Sequence, residues 1–477
     1  MNALNRDLCK LVGRVEAADL SKINSDPYRL KFHLMPPVGW MNDPNGLCWY
    51  HGNYHVYFQY RPFSPDGSGN VFWGHWTSPD FLNWTQQPVF LCPSDTWDLH
   101  GVYSGSALVT EEGLYLYYTG NVKYQGDHDY IHTGRGHNTA LAISKDGIKA
   151  DSNQLLLENK DYPDNLTCHV RDPKVWEEDG RFYMVLGART KEDRGEILVY
   201  ESEDKVNWNH INTITTPHVF GYMWECPDLF VLDGQCIVAL SPQGVSQDGN
   251  HYQNVYSCGY FPLYGDFRGE YTLGAFTESD LGFDYYAPQT FEAPDGRRIV
   301  IGWMGMPDAD YTNPTEKNGW QHGMSVPREL HWNGEQILAT PIKELEALRS
   351  GMHQVTFSGE EKCALEEGAD ICIENKSNQL HVQLGDGAEI VYENNLLILK
   401  LTDKSGYGRT ERVAEVKALQ KLRILMDTSA LELFINDGQQ VMTSRWYPDH
   451  ADTIAFRGEG SAVVYNMDAM EMIYSEA

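Results

Sequence analysis

The sequence predicts an all-β protein, a five-bladed β-propeller followed by a C-terminal β-sandwich, with a short helical segment ahead of both. Three observations carry this. After Pro27 the chain is dominated by short aromatic and β-branched runs bounded by Gly, Asp, Asn and Pro. A unit built from such runs recurs five times, with starts about 50 to 70 residues apart, slightly above propeller-blade periods. The recurrence then stops near Ser350, while alternating strands continue.

Taken in order, the first segment is 1–30. Leu4, Leu8, Leu11, Val12 and Val15 recur at helical spacing between Asn2 and about Ile23, which predicts one amphipathic helix that packs rather than acts. The propeller follows over 31–349. Its units start at Asp43-Pro44-Asn45, Ser104-Gly105-Ser106, Arg171-Asp172-Pro173, Glu225-Cys226-Pro227-Asp228 and Tyr286-Ala287-Pro288-Gln289. Each start leads through a Gly-containing turn into an aromatic or β-branched run such as Tyr54-His55-Val56-Tyr57-Phe58-Gln59. A second echo, Ser78-Pro79-Asp80 with Ser202-Glu203-Asp204 and Ser144-Lys145-Asp146, supports the same period. Pro341 to Arg349 reads as a helical connector. In 350–477, alternation at Leu380, Val382, Leu384 and at Leu422, Ile424, Met426 predicts half-buried strands, and Asn436-Asp437-Gly438 predicts a hairpin turn.

Composition narrows the function classes. The 477 residues carry 37 basic and 67 acidic side chains, a net charge of −30, which disfavours nucleic acid and anionic membrane as partners. The 28 Tyr and 13 Trp fit strands and a surface on which sugars stack. Nine scattered cysteines without a CxxC pair read as reduced thiols, and no apolar run is long enough for a leader or a membrane span, so the expected compartment is the cytoplasm. His128, His132 and His137 lack zinc-like spacing and read as part of an inter-strand loop, so no metal is expected there.

In a propeller the innermost strand of every blade begins beside a central funnel, so residues at one repeat phase converge. Asp43, Asp172 and Glu225 are assigned to that phase, and a set of carboxylates around one pocket fits glycoside hydrolysis: nucleophile, proton donor and a third group that orients hydroxyls. Asp172, next to Arg171, is expected to stay ionised, whereas Glu225, among Tyr222, Met223, Trp224 and Cys226, is expected in an apolar setting that suits an acid. Asp43 lies in Asp-Pro-Asn-Gly, which is also ordinary turn chemistry.

These residues sit in segments that together resemble the family 32 glycoside hydrolases, the β-fructofuranosidases. The matching segments are Trp40-Met41-Asn42-Asp43-Pro44-Asn45-Gly46, Tyr57-Phe58-Gln59, Phe72-Trp73-Gly74-His75, Tyr103-Ser104-Gly105-Ser106, Arg171-Asp172-Pro173, Trp224-Glu225-Cys226-Pro227, Asp284 to Phe291 and Ile301-Gly302-Trp303. The resemblance implies a retaining mechanism with Asp43 as nucleophile, Glu225 as acid/base and Asp172 as transition-state stabiliser. It also implies substrate contacts at Trp40, Asn42, Gln59, Tyr103, Ser104, Arg171 and Trp303, no cofactor, and a small sugar as partner: sucrose-6-phosphate, sucrose or short fructo-oligosaccharides. One departure stands out, because Gly67-Ser68-Gly69-Asn70 occupies the place where many members carry a pocket Trp; a similar glycine-rich stretch occurs in the cytoplasmic sucrose-6-phosphate hydrolases of that family. Arg61, beside Gln59, is read as a solvated loop residue that could also contact phosphate. A fructosidase acting mainly on short fructo-oligosaccharides, an inverting pentan-cleaving hydrolase and a non-catalytic sugar-binding propeller are the alternatives, and the oligomeric state stays open.

Overall fold

The computed structural model describes residues 2–474. Its first element is the helix Ala3–Ile23, opened by Asn2, whose side chain accepts the Asn5 N–H at 2.9 Å. The buried face overlaps the expected one only in part: Val12 is buried and Leu8 and Val15 are half-buried against the core. Leu4 and Leu11 are each 46% exposed, while Asn5, Val12, Glu16 and Ile23 form the inward stripe. Docking by hydrogen bonds explains this: Asn5 donates to Ser94 Oγ (3.2 Å), and Tyr60 donates to Glu16 (2.8 Å).

From Gly39 to Pro341 the chain lays down successive antiparallel sheets, the blades of a β-propeller. Their first strands are Gly39–Tyr50, Val102–Thr110, Leu166–Glu178, Met223–Leu232 and Tyr286–Glu292. Distant chain closes the first sheet on both sides, since Trp320–Gln321 pairs in parallel with Gly39–Tyr50, and Glu471–Ile473 pairs in parallel with Asn83–Leu91. The Ser-x-Asp echo has a structural cause. Asp80, Asp146 and Asp204 each accept two backbone N–H groups, at Leu82 and Asn83, Ile148 and Lys149, and Val206 and Asn207, and so build the same turn in three blades.

Each of these first strands also bulges at the same step. Pairing slips between Met41 and Pro44, Tyr103 and Gly105, Arg171 and Lys174, Glu225 and Asp228, and Tyr286 and Gln289. Asp172, Cys226 and Ala287 take positive φ there (64°, 48° and 49°). The Pro that follows each of them, and follows Asp43, has no N–H for the ladder to lose.

Past the 3₁₀ turn Lys343–Leu348, the strands from Arg349–Ala364 to Thr453–Met467 form a β-sandwich-like domain around its own apolar core. The hairpin turn falls where expected, with Asn436 and Asp437 both at positive φ (48° and 58°) between Ala430–Ile435 and Gln440–Arg445. A buried polar chain joins this domain to the propeller. His33 contacts Asp427 (2.7 Å) and Glu432 (3.0 Å), and Arg328 bridges Glu432 (2.6 Å) and Asp280 (3.1 Å). Among the described residues no helix is long and apolar enough to cross a membrane.

Candidate active site

The repeated bulge stacks the inner-strand side chains in tiers around the funnel. Aligned on the Pro (Gly105 in the second sheet), the first tier is Asn42, Tyr103, Arg171, Glu225 and Tyr286. The second is Asp43, Ser104, Asp172, Cys226 and Ala287, and the third is Asn45, Ser106, Lys174, Asp228 and Gln289. This corrects the single-phase expectation: Glu225 stands one residue ahead of the aspartates, and Cys226 holds the position equivalent to theirs.

Side chains within and between tiers are tied together. Asp43 accepts Ser104 Oγ (2.6 Å) and Asn42 Nδ2 (3.0 Å). Asp172 accepts the Cys226 N–H (2.9 Å), and the Cys226 thiol lies 3.6 Å from both Asp43 Oδ2 and Asp172 Oδ2. Glu225 accepts Arg171 Nη2 (2.5 Å) on one oxygen and the Tyr286 hydroxyl (2.6 Å) on the other. Its setting is thus a guanidinium and a phenol, not the apolar one expected. Beneath them Lys174 donates to Asp228 (3.0 Å), Gln289 (3.3 Å) and the Thr290 carbonyl (2.6 Å), a buried cation that joins the third, fourth and fifth inner strands.

The first tier, with Asp43, Ser104 and Asp172 of the second, lines a cavity of about 390 Å³. Asp43, Asp172 and Glu225 all face it, as do Trp40, Asn42, Gln59, Tyr103, Ser104, Arg171 and Trp303. Trp40 turns its indole N–H to Asn42 Oδ1 (2.9 Å), packs edge-on against His322, and is covered by the backbone of Gly67, where a Cβ would fall 2.9 Å from the ring. The glycine-rich stretch therefore fits closely against an aromatic already present. A larger cavity, about 910 Å³, opens at the other end of the funnel, with Lys174, Asp228 and Gln289 in its wall.

Electrostatics also departs from expectation. Burial pushes the Asp43 carboxyl up; Ser104 and Asn42 hold its charged form against this, and Glu225 adds to the upward push. Burial lifts Asp172 to about 7, outweighing Arg171, with Glu225 adding to the rise. Arg171 cannot keep Asp172 strongly ionised because its Nε stands 3.8 Å away, while its Nη2 is committed to Glu225.

Several pocket residues escaped the sequence reading. Tyr286 is at the phase of Glu225, and the repeat itself would have found it. Arg61 is not a solvated loop residue: it ends the strand Asn53–Arg61, lines the cavity and lies 5.9 Å from the Trp40 ring. His137 leaves the loop assigned to it, buried in the strand Arg135–Ser144 on the cavity wall with Arg135 and His169. His128 and His132 stay in the loop, bonded to Thr133 and Asp129. Among the described residues no group of three or more His, Cys, Asp and Glu is arranged to hold a metal ion.

Comparison with known proteins bears on the family to which this fold belongs. Residues 33–341 match the glycosyl hydrolases family 32 N-terminal domain, and residues 348–471 match the family 32 C-terminal domain. The chain is 40% identical over 441 residues to a sucrose-6-phosphate hydrolase of Bacillus subtilis, covering 89% of this chain and 90% of that one. Among solved structures, a Bombyx mori GH32 β-fructofuranosidase superimposes with a TM-score of 0.87 at 29% identity, covering 99% of this chain and 100% of that one. A sucrose-6-phosphate hydrolase from Lactobacillus gasseri does so with a TM-score of 0.87 at 26% identity, covering 96% of each. With two matched domains spanning nearly its whole length and a pocket ringed by acidic side chains, the chain belongs to glycosyl hydrolase family 32.

Proposed function

We propose that the chain is a retaining β-fructofuranosidase that hydrolyses sucrose-6-phosphate and sucrose, releasing fructose. The observation that carries the reading is the convergence of Asp43, Asp172 and Glu225 on one pocket, with Glu225 clamped by two donors and Asp43 held by two others. In this reading Asp43 attacks the anomeric carbon of the fructosyl unit, and Glu225 gives its proton to the leaving glucosyl oxygen. Asp172 stabilises the oxocarbenium-like transition state and holds sugar hydroxyls. Glu225, now a carboxylate, takes a proton from water; the water cleaves the fructosyl ester and frees Asp43. Ser104 and Asn42 keep the nucleophile charged against burial. Trp40, Asn42, Gln59, Tyr103, Ser104, Arg171 and Trp303 bind the substrate.

The same reading takes the propeller as five-bladed, with one blade from each bulged first strand. It divides the chain into a helical segment at 1–30, a catalytic propeller at 31–349 and a β-sandwich at 350–477. A phosphorylated substrate and nine unpaired cysteines fit the cytoplasm. The test is kcat/KM for sucrose, sucrose-6-phosphate and a short fructo-oligosaccharide on one preparation, with NMR of the first product. β-Fructofuranose should appear first; an initially inverted anomer, or no release of fructose, defeats the reading.

A further inference from the structure

Against a net charge of −30, the rim of the cavity carries cations with no counter-ion. Arg61 and Arg135 both line it, and among the described residues neither guanidinium has a carboxylate within ion-pair distance; the Nε of each is buried and without a hydrogen-bond partner. Burial depresses the pKa of both, and Arg61 is offset only at longer range, by Tyr103 and the carboxylates of Asp43 and Asp66. Arg135 reaches only the Asn121 amide (3.5 Å), His137 Nε2 (3.2 Å) and the Tyr103 hydroxyl. The carboxylates at the rim are engaged: Asp66 accepts Ser68 N–H and Oγ at 3.0 and 2.8 Å, and Asp308 accepts the Tyr256 hydroxyl at 2.8 Å. Lys123, exposed at the end of the neighbouring strand Gly113–Lys123, feels both arginines: burial depresses its pKa first, and then each guanidinium adds to the fall.

Like charges gathered at a half-buried site cost free energy unless an anion completes them. The carboxylates that attract Arg61 from a distance, Asp43 and Asp66, already accept other donors, and neither stands within ion-pair distance of a rim guanidinium. We propose that Arg61 and Arg135, assisted by Lys123, form the subsite for a phosphate monoester on the substrate, held at the mouth of the same cavity whose floor carries Asp43 and Asp172. Planar guanidinium forks suit phosphate oxygens, and two of them approaching from different strands fix its position as well as its charge. The subsite rests on the proposed β-fructofuranosidase activity and adds to it the residues that separate a phosphorylated sugar from a plain one.

The test compares kcat/KM for sucrose-6-phosphate and for sucrose in the native enzyme, Arg61→Gln, Arg135→Gln, the double variant and Arg135→Lys, each checked for an unchanged melting temperature. A charge-assisted hydrogen bond is worth roughly 1.5–3 kcal/mol, so each Gln variant should lose about 10- to 150-fold of the preference for the phosphorylated sugar. The loss should fall mainly on KM, and Arg135→Lys should recover part of it. Inorganic phosphate should inhibit sucrose hydrolysis competitively in the native enzyme and weakly in the double variant. A double variant that keeps its preference overturns the subsite, and so does a native enzyme that hydrolyses sucrose with no preference for the phosphate. A native enzyme that hydrolyses neither sugar overturns instead the activity on which the subsite rests.

Discussion

Tyr286→Phe probes the site at a single atom. The phenol donates to Glu225 Oε2 at 2.6 Å, and its ring packs edge-on against Trp303 with centroids 6.5 Å apart, so Phe keeps the packing and removes only the donor. Glu225 is then held by Arg171 alone. A hydrogen bond to a charged group contributes roughly 1.5–3 kcal/mol, which caps the loss at about 10- to 150-fold in kcat/KM. If Glu225 protonates the leaving oxygen, the loss must depend on the leaving group. Sucrose, with a basic glucosyl oxygen, should show it in full, whereas an aryl β-fructofuranoside, whose phenolate departs without help, should show little. Both are measured by initial rates on the same preparation. Activity on sucrose within about twofold of native, or an equal loss on the two substrates, refutes the assignment of Glu225 as proton donor and of Tyr286 as its positioning residue.

Three further outcomes follow from the same geometry. Lys174→Met leaves Asp228 and Gln289 without their buried cation; breaking such a pair costs about 3–5 kcal/mol, to be read as a lower urea midpoint with unchanged m, and an unchanged midpoint contradicts the tiered packing. Asp172 sits at about 7, above its ordinary 3.8, so kcat/KM should fall as pH drops through about 7 and the carboxylate is lost; a profile flat down to about pH 5 contradicts this. The inter-domain chain sets the pH range of stability. Burial alone would lower His33, but its hydrogen bonds to Asp427 and Glu432 lift it from 6.5 to about 9, so its contribution is complete below about 6.5 and lost as pH rises through about 9. Asp427 and Glu432 are held below their ordinary values, burial being outweighed by His33 and Arg328, so theirs is present above about 4 to 4.5 and lost on acidification. The melting temperature should peak between these limits, and His33→Gln should flatten the alkaline fall.

Much of this was legible in the sequence because a repeat converts distance along the chain into position in space. The unit starts identified the bulged strands, and every residue expected to catalyse or to contact substrate faces the one cavity. What stayed hidden was register at the level of one residue. A bulge inserts a position and swings successive side chains differently, so Glu225 falls in the tier of Arg171 and Tyr286 rather than with Asp43 and Asp172. That offset gives Arg171 to Glu225, and it makes burial, not the adjacent guanidinium, decide the titration of Asp172. Arg61 was legible only as a possible phosphate contact, and Arg135 was not legible at all, for another reason. Nothing in a chain of acidic composition marks which arginines of the pocket stand outside ion pairs, since that depends on where the neighbouring carboxylates turn. The helix Ala3–Ile23 shows the same limit: its apolar spacing was right, but hydrogen bonds from Asn5 and to Glu16 chose the buried face.

The most direct test of the central claim is to trap the intermediate. Glu225→Gln removes the group that activates water, while an aryl β-fructofuranoside needs no acid to depart, so the fructosyl ester should form and persist. Mass spectrometry of the digested protein should then find one fructosyl residue on the peptide that carries Asp43. An adduct on any other residue, or substrate turned over with no adduct at all, would contradict the assignment of Asp43 as the nucleophile.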